Sequence, residues 1–259
     1  ILFTVNGAGK LIFPGNLTSR FENVEIKNAY IGLQVGTIEN EGAANVKLHN
    51  VKIEHMTYAG LFALKSNIEA ENLLVDDCGY YCVTLLAGGN YDFTHCTIAN
   101  YWSVLTHRTT PSVLISNHLY IDYLNQSFDN DLKVHWKNSI IYGNQEKTEV
   151  NFGENGVNTF DMAFDHCLVK ISDSIFTVHR DRFNAVDTIS YADSVLFNNV
   201  NAYNFVPDTL APIRNYGLRS YGEKVPFDLG NISRLADSAP DIGAYEYIYV
   251  KPKDETKLP

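Results

Sequence analysis

The chain has 259 residues, 30 of them Asp or Glu against 20 Lys or Arg, for a formal net charge of −10. That length can bury a sizeable core, and the acidic balance without a basic run excludes nucleic acid as an electrostatic partner. No run of about 18 apolar residues occurs, so no segment is read as spanning a membrane.

In chain order, the opening "ILFTVNGAGKLIF" is already strand-like and lacks Met, so it is read as the start of a fragment or processed form, with a partial first coil over 1–19. At residue 20 a repeat begins. "RFENVEIKNA" is echoed by "KLHNVKIEHM", and the shared Asn recurs as Asn23, Asn50, Asn72, His95, His118, Asn138 and His166. Two residues before this anchor stand Phe21, Leu48, Ala70, Phe93, Ser116, Trp136 and Phe164. One after it stand Val24, Val51, Leu73, Cys96, Leu119, Ser139 and Cys167, and three after it Ile26, Ile53, Val75, Ile98, Ile121, Ile141 and Val169. Spacings of 20–28 residues are shorter than helical repeats of about 33 or more require. They suit short strands stacked one coil on the next, at the strand spacing of about 4.8 Å. The fold expected is all-β: a right-handed single-stranded parallel β-helix with coils of about 22 residues over 1–190, then a C-terminal cap over 191–249 and a flexible tail over 250–259.

Five residues past the anchor lie Asn28, His55, Asp77, Asn100, Tyr123 and Gly143, a column suited to a turn with stacked amides. Just beyond it come Tyr30, Tyr58, Tyr80 and Trp102, which coil stacking would line up as an aromatic stripe able to bind sugar rings; rings packed under loops are the plainer alternative. Cys96 and Cys167 fall in core columns, where Cys acts as a small hydrophobe. Cys78 and Cys82 are near enough in sequence for a bridge, although buried free thiols fit all four cysteines.

Asp76–Asp77 is the nearest approach to a hydrolase carboxylate pair, yet Asp77 also fits the turn column. "SFDNDLKVHW" places Asp129 and Asp131 at a spacing that suits Ca²⁺, and equally suits a turn. "VHRDRF" gathers His179, Arg180, Asp181 and Arg182 past the last regular coil, with His107–Arg108 a weaker case of the same kind. The stretch from 138 to 166 exceeds one coil and is read as a loop leaving one face, where binding sites tend to lie.

The repeat over about 20–175 resembles the right-handed parallel β-helix proteins of the pectate-lyase-like superfamily. "AP" followed by Asp241-Ile-Gly-Ala-Tyr-Glu246 is similar to the closing segment of secreted or surface β-helix proteins, commonly lipoproteins, of Bacteroides-type gut bacteria. The resemblance implies a secreted, periplasmic or outer-membrane location in a Gram-negative bacterium, and a tail covering the open end of the helix. It also brings polysaccharide lyases and glycoside hydrolases into view, but the Gly-His-Gly and Arg-x-Lys motifs of the pectin hydrolases do not occur here. The expected function is therefore binding of a polysaccharide or glycan by a monomer with no evident cofactor. The alternatives are a lyase or hydrolase built on Asp77, Asp129, Asp131, His179 and Arg180, or an adhesive structural protein.

Overall fold

The computed structural model describes residues 10–13, 18–38, 43–102, 108–188 and 193–247. It is mostly β, 52% strand and 11% helix, built on a large parallel sheet curled into a half-barrel. Each repeat contributes strand segments that pair in parallel with their counterparts in the next repeat. Thr18–Lys27 pairs with Asn45–Met56, and that with Ala59–Cys78. Ala59–Cys78 then pairs with Tyr81–Thr94 and Thr97–Asn100.

Side chains of one column lie above one another. Phe21, Leu48, Ala70, Phe93, Trp136, Phe164 and Phe183 are in direct register, and so are Ile26, Ile53, Val75, Ile98, Ile141 and Val169. The first column becomes a stack of rings: Phe93 and Trp136 lie 4.0 Å apart at 8°, and Phe164 and Phe183 lie 5.0 Å apart at 5°. A third column, Leu33, Leu61, Val83, Val113 and Val150, completes the interior from the third strand of each repeat. All four cysteines are buried and free.

Three expectations need correction. The residue above His95 is Asn138, not His118: Asn138 Nδ2 lies 3.1 Å from His95 Nε2, and Trp136 pairs with Phe93. His118 instead starts an antiparallel hairpin of His118–Ile121 with Gln126–Asp129. Asn125 at φ 47° turns that chain back on itself, so Leu119 and Ile121 leave the core columns, as Ser116 does. Secondly, the amide ladder sits on the anchor itself. Asn23, Asn50, Asn72, His95, Asn138, His166 and Ala185 all hold φ between 45° and 55°. Asn, with a short polar side chain, tolerates this left-handed backbone better than most residues. Asn50 Nδ2 donates to Asn23 Oδ1 at 3.0 Å, and Asn72 Nδ2 to Asn50 Oδ1 at 2.9 Å. Five residues on, only Asn28, His55 and Asp77 share the left-handed turn; Tyr123 is on the hairpin and Gly143 ends the strand Ile140–Gly143.

Thirdly, residues 196–247 run along the side of the stack rather than over its end. They touch successive rungs: Arg234 Nη2 donates to Asn72 Oδ1, Ala244 N to Thr97 Oγ1, Gly243 N to the Asn138 carbonyl and Tyr221 Oη to Asp165. The physical reason lies in outward-facing strand positions that are apolar. Leu74, Ala99, Ile140, Tyr142 and Leu168 form a second core with Leu196, Phe197, Phe205, Ile213 and Ile242. The end of the stack is instead covered by the short helix Asp173–Val178, whose Phe176 ring lies 5.1 Å from Phe183. The boundary at 190 and the tail 250–259 lie outside the described residues.

Candidate functional site

The strand before each anchor points its alternate residues outward, and on this face they are polar. Three rows run along it in register. Asn45, Asn67, Asn90, Lys133 and Asp161 form the first, Lys47, Glu69, Asp92 and His135 the second, and His49, Glu71, Thr94 and Lys137 the third. Neighbouring rungs are joined by opposite charges and amides. Lys47 Nζ lies 2.5 Å from Glu69, His49 Nδ1 lies 2.9 Å from Glu71, Lys137 pairs with Asp92, and Asn67 Nδ2 donates to Asn45 Oδ1 at 2.8 Å.

Two adjoining hollows, of about 410 and 570 Å³, lie on this face and share Asn67 and Asn90. Lys224, from the helix Arg219–Lys224, borders the first; Asn130, Asp131 and Thr159 border the second. The face thus offers donors and acceptors repeated at strand spacing, with both charge signs interleaved. Polar outward rows recur in the sequence in phase with the apolar columns, as at Asn45, Asn67 and Asn90, and that periodicity is the signal by which the face could have been found.

The chain was compared with known protein families, with curated proteins and with solved structures. None of them matches. The chemistry of the site therefore rests on its own residues.

Those singled out from sequence do not converge. Asp77 is buried in its turn, where His55 Nδ1 lies 2.7 Å from its carboxylate and the Tyr203 ring stands edge-on to His55 at 4.4 Å. Asp129 is held by His118 Nδ1 at 2.5 Å and by Asn155 Nδ2, while Asp131 accepts from Thr159 N at 2.9 Å. The two carboxylates are thus drawn to different partners. Among the described residues no group of three or more His, Cys, Asp and Glu is arranged to hold a metal ion. Arg180 donates to the Phe183 carbonyl and lies over Phe176, and His179 stands edge-on to Phe152, so this cluster closes the end of the stack. Arg108 is fully buried, bidentate to Glu149 at 2.7 and 2.9 Å, and pins the loop around 144–149; its neighbour His107 lies outside the described residues.

The aromatic stripe is real over three rungs only. Tyr30 and Tyr58 stack at 5.1 Å and 15°, and Tyr58 and Tyr80 lie 5.2 Å apart at 42°. Stacking along the axis covers both faces of Tyr58, while Tyr30 and Tyr80, at the two ends of this short stack, remain 46% and 51% exposed. Trp102, 6% exposed, stands outside the stripe because Thr110 takes the level beyond Tyr80 and donates to its carbonyl.

Asp76 is 0% exposed and neither of its carboxylate oxygens has a hydrogen-bond partner. Burial, with Glu54 and Asp77 nearby, pushes its carboxyl up to about 9. A folded-state value raised above the usual 3.8 means that its contribution is full below that value and is lost as pH rises towards 9. Stability should therefore fall between pH 4 and 9, by up to about 1.4 kcal/mol per unit from this group. Urea midpoints measured across that range should show this slope in the wild type, and a shallower one in Asp76→Asn.

Proposed function

We propose that the chain is a right-handed parallel β-helix of the pectate-lyase-like kind, acting on the outside of a bacterial cell, whose bare polar face holds a neutral polysaccharide without cleaving it. The observation that carries this reading is the uncovered face itself. Its amides, carboxylates and ammonium groups repeat at strand spacing along two joined hollows. The outward positions of the strand after the anchor are instead apolar and covered by residues 196–247, which reach the polar face only at its border, through Lys224. Such rows suit an extended polymer lying along the axis, whose hydroxyls both donate and accept.

The solenoid is supported by three strand segments per repeat, each pairing in parallel with its counterpart in the next. Its hand follows from the strong right-handed preference of connections between parallel strands. Against cleavage stand the positions of the carboxyls that burial pushes upward. Asp76, at about 9, Glu246, at about 7, and Asp241, also raised by burial, are all buried, and none of them lines either hollow.

The test is affinity electrophoresis against a soluble mannan, xylan, dextran and β-1,3-glucan. The wild type should be retarded by at least one of them and release neither reducing ends nor unsaturated products. Asn67→Ala/Asn90→Ala should bind about tenfold more weakly, the loss expected for two hydrogen-bonding groups. No retardation by any polymer, or full retardation of the double variant, would overturn the proposal. Product release would favour the lyase or hydrolase reading.

A further inference from the structure

The geometry points to the hairpin His118–Asp129 as the aromatic subsite of this groove, with Tyr120 and Tyr123 stacking on sugar rings whose hydroxyls the amide rows hold. This inference rests on the proposed carbohydrate face and adds the part of it that reads ring shape. The hairpin is seated on the groove's own rim. Gly89 N donates to the Asp131 carbonyl and Asn130 Nδ2 to the Ala87 carbonyl, both at 2.9 Å. This close approach needs glycine. Gly88 and Gly89 hold φ of +82° and +121°, and a Cβ on Gly88 would come within 2.6 Å of Asn130.

The foot of the hairpin is also fixed from the side. Asn117, buried and between the strand Val113–Ser116 and the hairpin, exchanges hydrogen bonds with Asn155 in the neighbouring loop at 3.0 and 3.1 Å, and Asn155 Nδ2 donates to Asp129. On this rigid mount the tip is left bare: Tyr123 is 83% exposed and Tyr120 47%. Tyr120 Oη donates to Asn125 Oδ1 at 2.6 Å, which holds its ring across the hairpin. Among the described residues neither ring is stacked on another aromatic, in contrast to Tyr58. Exposed aromatic surface that no other ring stacks upon is characteristic of binding sites. A sugar is favoured over a protein because the hairpin runs directly into Asn130 and Asp131, which border the second hollow with its amides and mixed charges; a pyranose presents an apolar C–H face to a ring and hydroxyls to such groups.

The experiment uses the full chain and whichever of the four polysaccharides retards the wild type most. Tyr123→Ala should bind several-fold more weakly at a nearly unchanged melting temperature, since Tyr123 is 83% exposed, and Tyr120→Ala/Tyr123→Ala about tenfold more weakly, with a small stability loss from the Tyr120–Asn125 hydrogen bond. Tyr123→Trp should bind like the wild type, and its indole emission should shift when polymer is added. If the tyrosine variant binds normally, with the Trp probe silent, while Asn67→Ala/Asn90→Ala is weakened, the subsite is wrong and the groove stands. If the tyrosine variant alone is weakened, the amide groove is wrong and the hairpin holds the sugar by itself. Silence of the probe with every polymer, alongside an unretarded wild type, removes both and leaves the tip to a protein partner.

Discussion

Trp136→Ala is expected to cost about 3–5 kcal/mol of unfolding free energy, the range for removing a large buried aromatic side chain. Trp136 is 0% exposed and lies between Phe93, at 4.0 Å, and Phe164, at 6.4 Å. It stands on the rung that follows the longest interval in the repeat, the one that holds the hairpin. Loss of its ring would open a cavity where the chain returns to the stack. The indole Nε1 is buried without a hydrogen-bond partner, so Trp136→Phe removes an unsatisfied group as well as some volume. It should therefore cost less than about 1.5 kcal/mol. Urea denaturation of the three proteins separates a cavity effect, with the Ala variant far below the Phe variant, from a need for the indole itself, with both equally destabilised.

Arg234→Ala should cost a similar amount, about 3–5 kcal/mol, by leaving buried partners uncompensated. The Arg234 guanidinium is fully buried and donates to Glu246 at 2.6 Å, to Asn72 Oδ1 at 2.8 Å and to the Gly243 carbonyl at 3.1 Å. It thereby ties the Asp-Ile-Gly-Ala-Tyr-Glu segment to the amide ladder. The motif's Asp241, and Asp228 from the segment before it, hold the same clasp. Asp241 accepts from Asn215 N and Tyr247 N, and Asp228 from Ile232 N and Glu246 N. The defect should be larger at pH 8 than at pH 5.5, because burial already pushes the Glu246 carboxyl up to about 7 and an unpaired Glu246 can take up a proton in acid. Limited proteolysis should cut the variant first within 196–247. Wild-type resistance there would show that the segment is held by its apolar contacts alone.

The columns two before and three after the anchor could be read from sequence because both are apolar and keep a constant offset. The column Leu33, Leu61, Val83, Val113 and Val150 could not, since it falls 10, 11, 11, 18 and 12 residues past its anchors. At "NHLYID" the hairpin reproduces the polar–apolar alternation of a coil, and nothing local distinguishes an antiparallel return from a parallel rung. Because Asn and Asp occur at both turns, the sequence places the amide ladder five residues past where the structure has it. What separates them is which turn stays left-handed through to Ala185. The clasp is long-range: Arg234 and Asn72 are 162 residues apart, and neither flanking segment signals the other. The in-phase polar rows are harder to single out in the sequence than the tyrosines just past the turn, because they carry no aromatic marker.

Lysine-modification footprinting by mass spectrometry, with and without the retarding polysaccharide, tests the central claim most directly. Lys47 and Lys133 stand exposed on the polar face, and Lys27 is exposed on the strand after the anchor, outside both hollows. Polymer should slow modification of Lys47 and Lys133 severalfold and leave Lys27 unchanged. Equal protection of all three, or protection of Lys27 alone, would contradict a carbohydrate-binding face built from the outward rows.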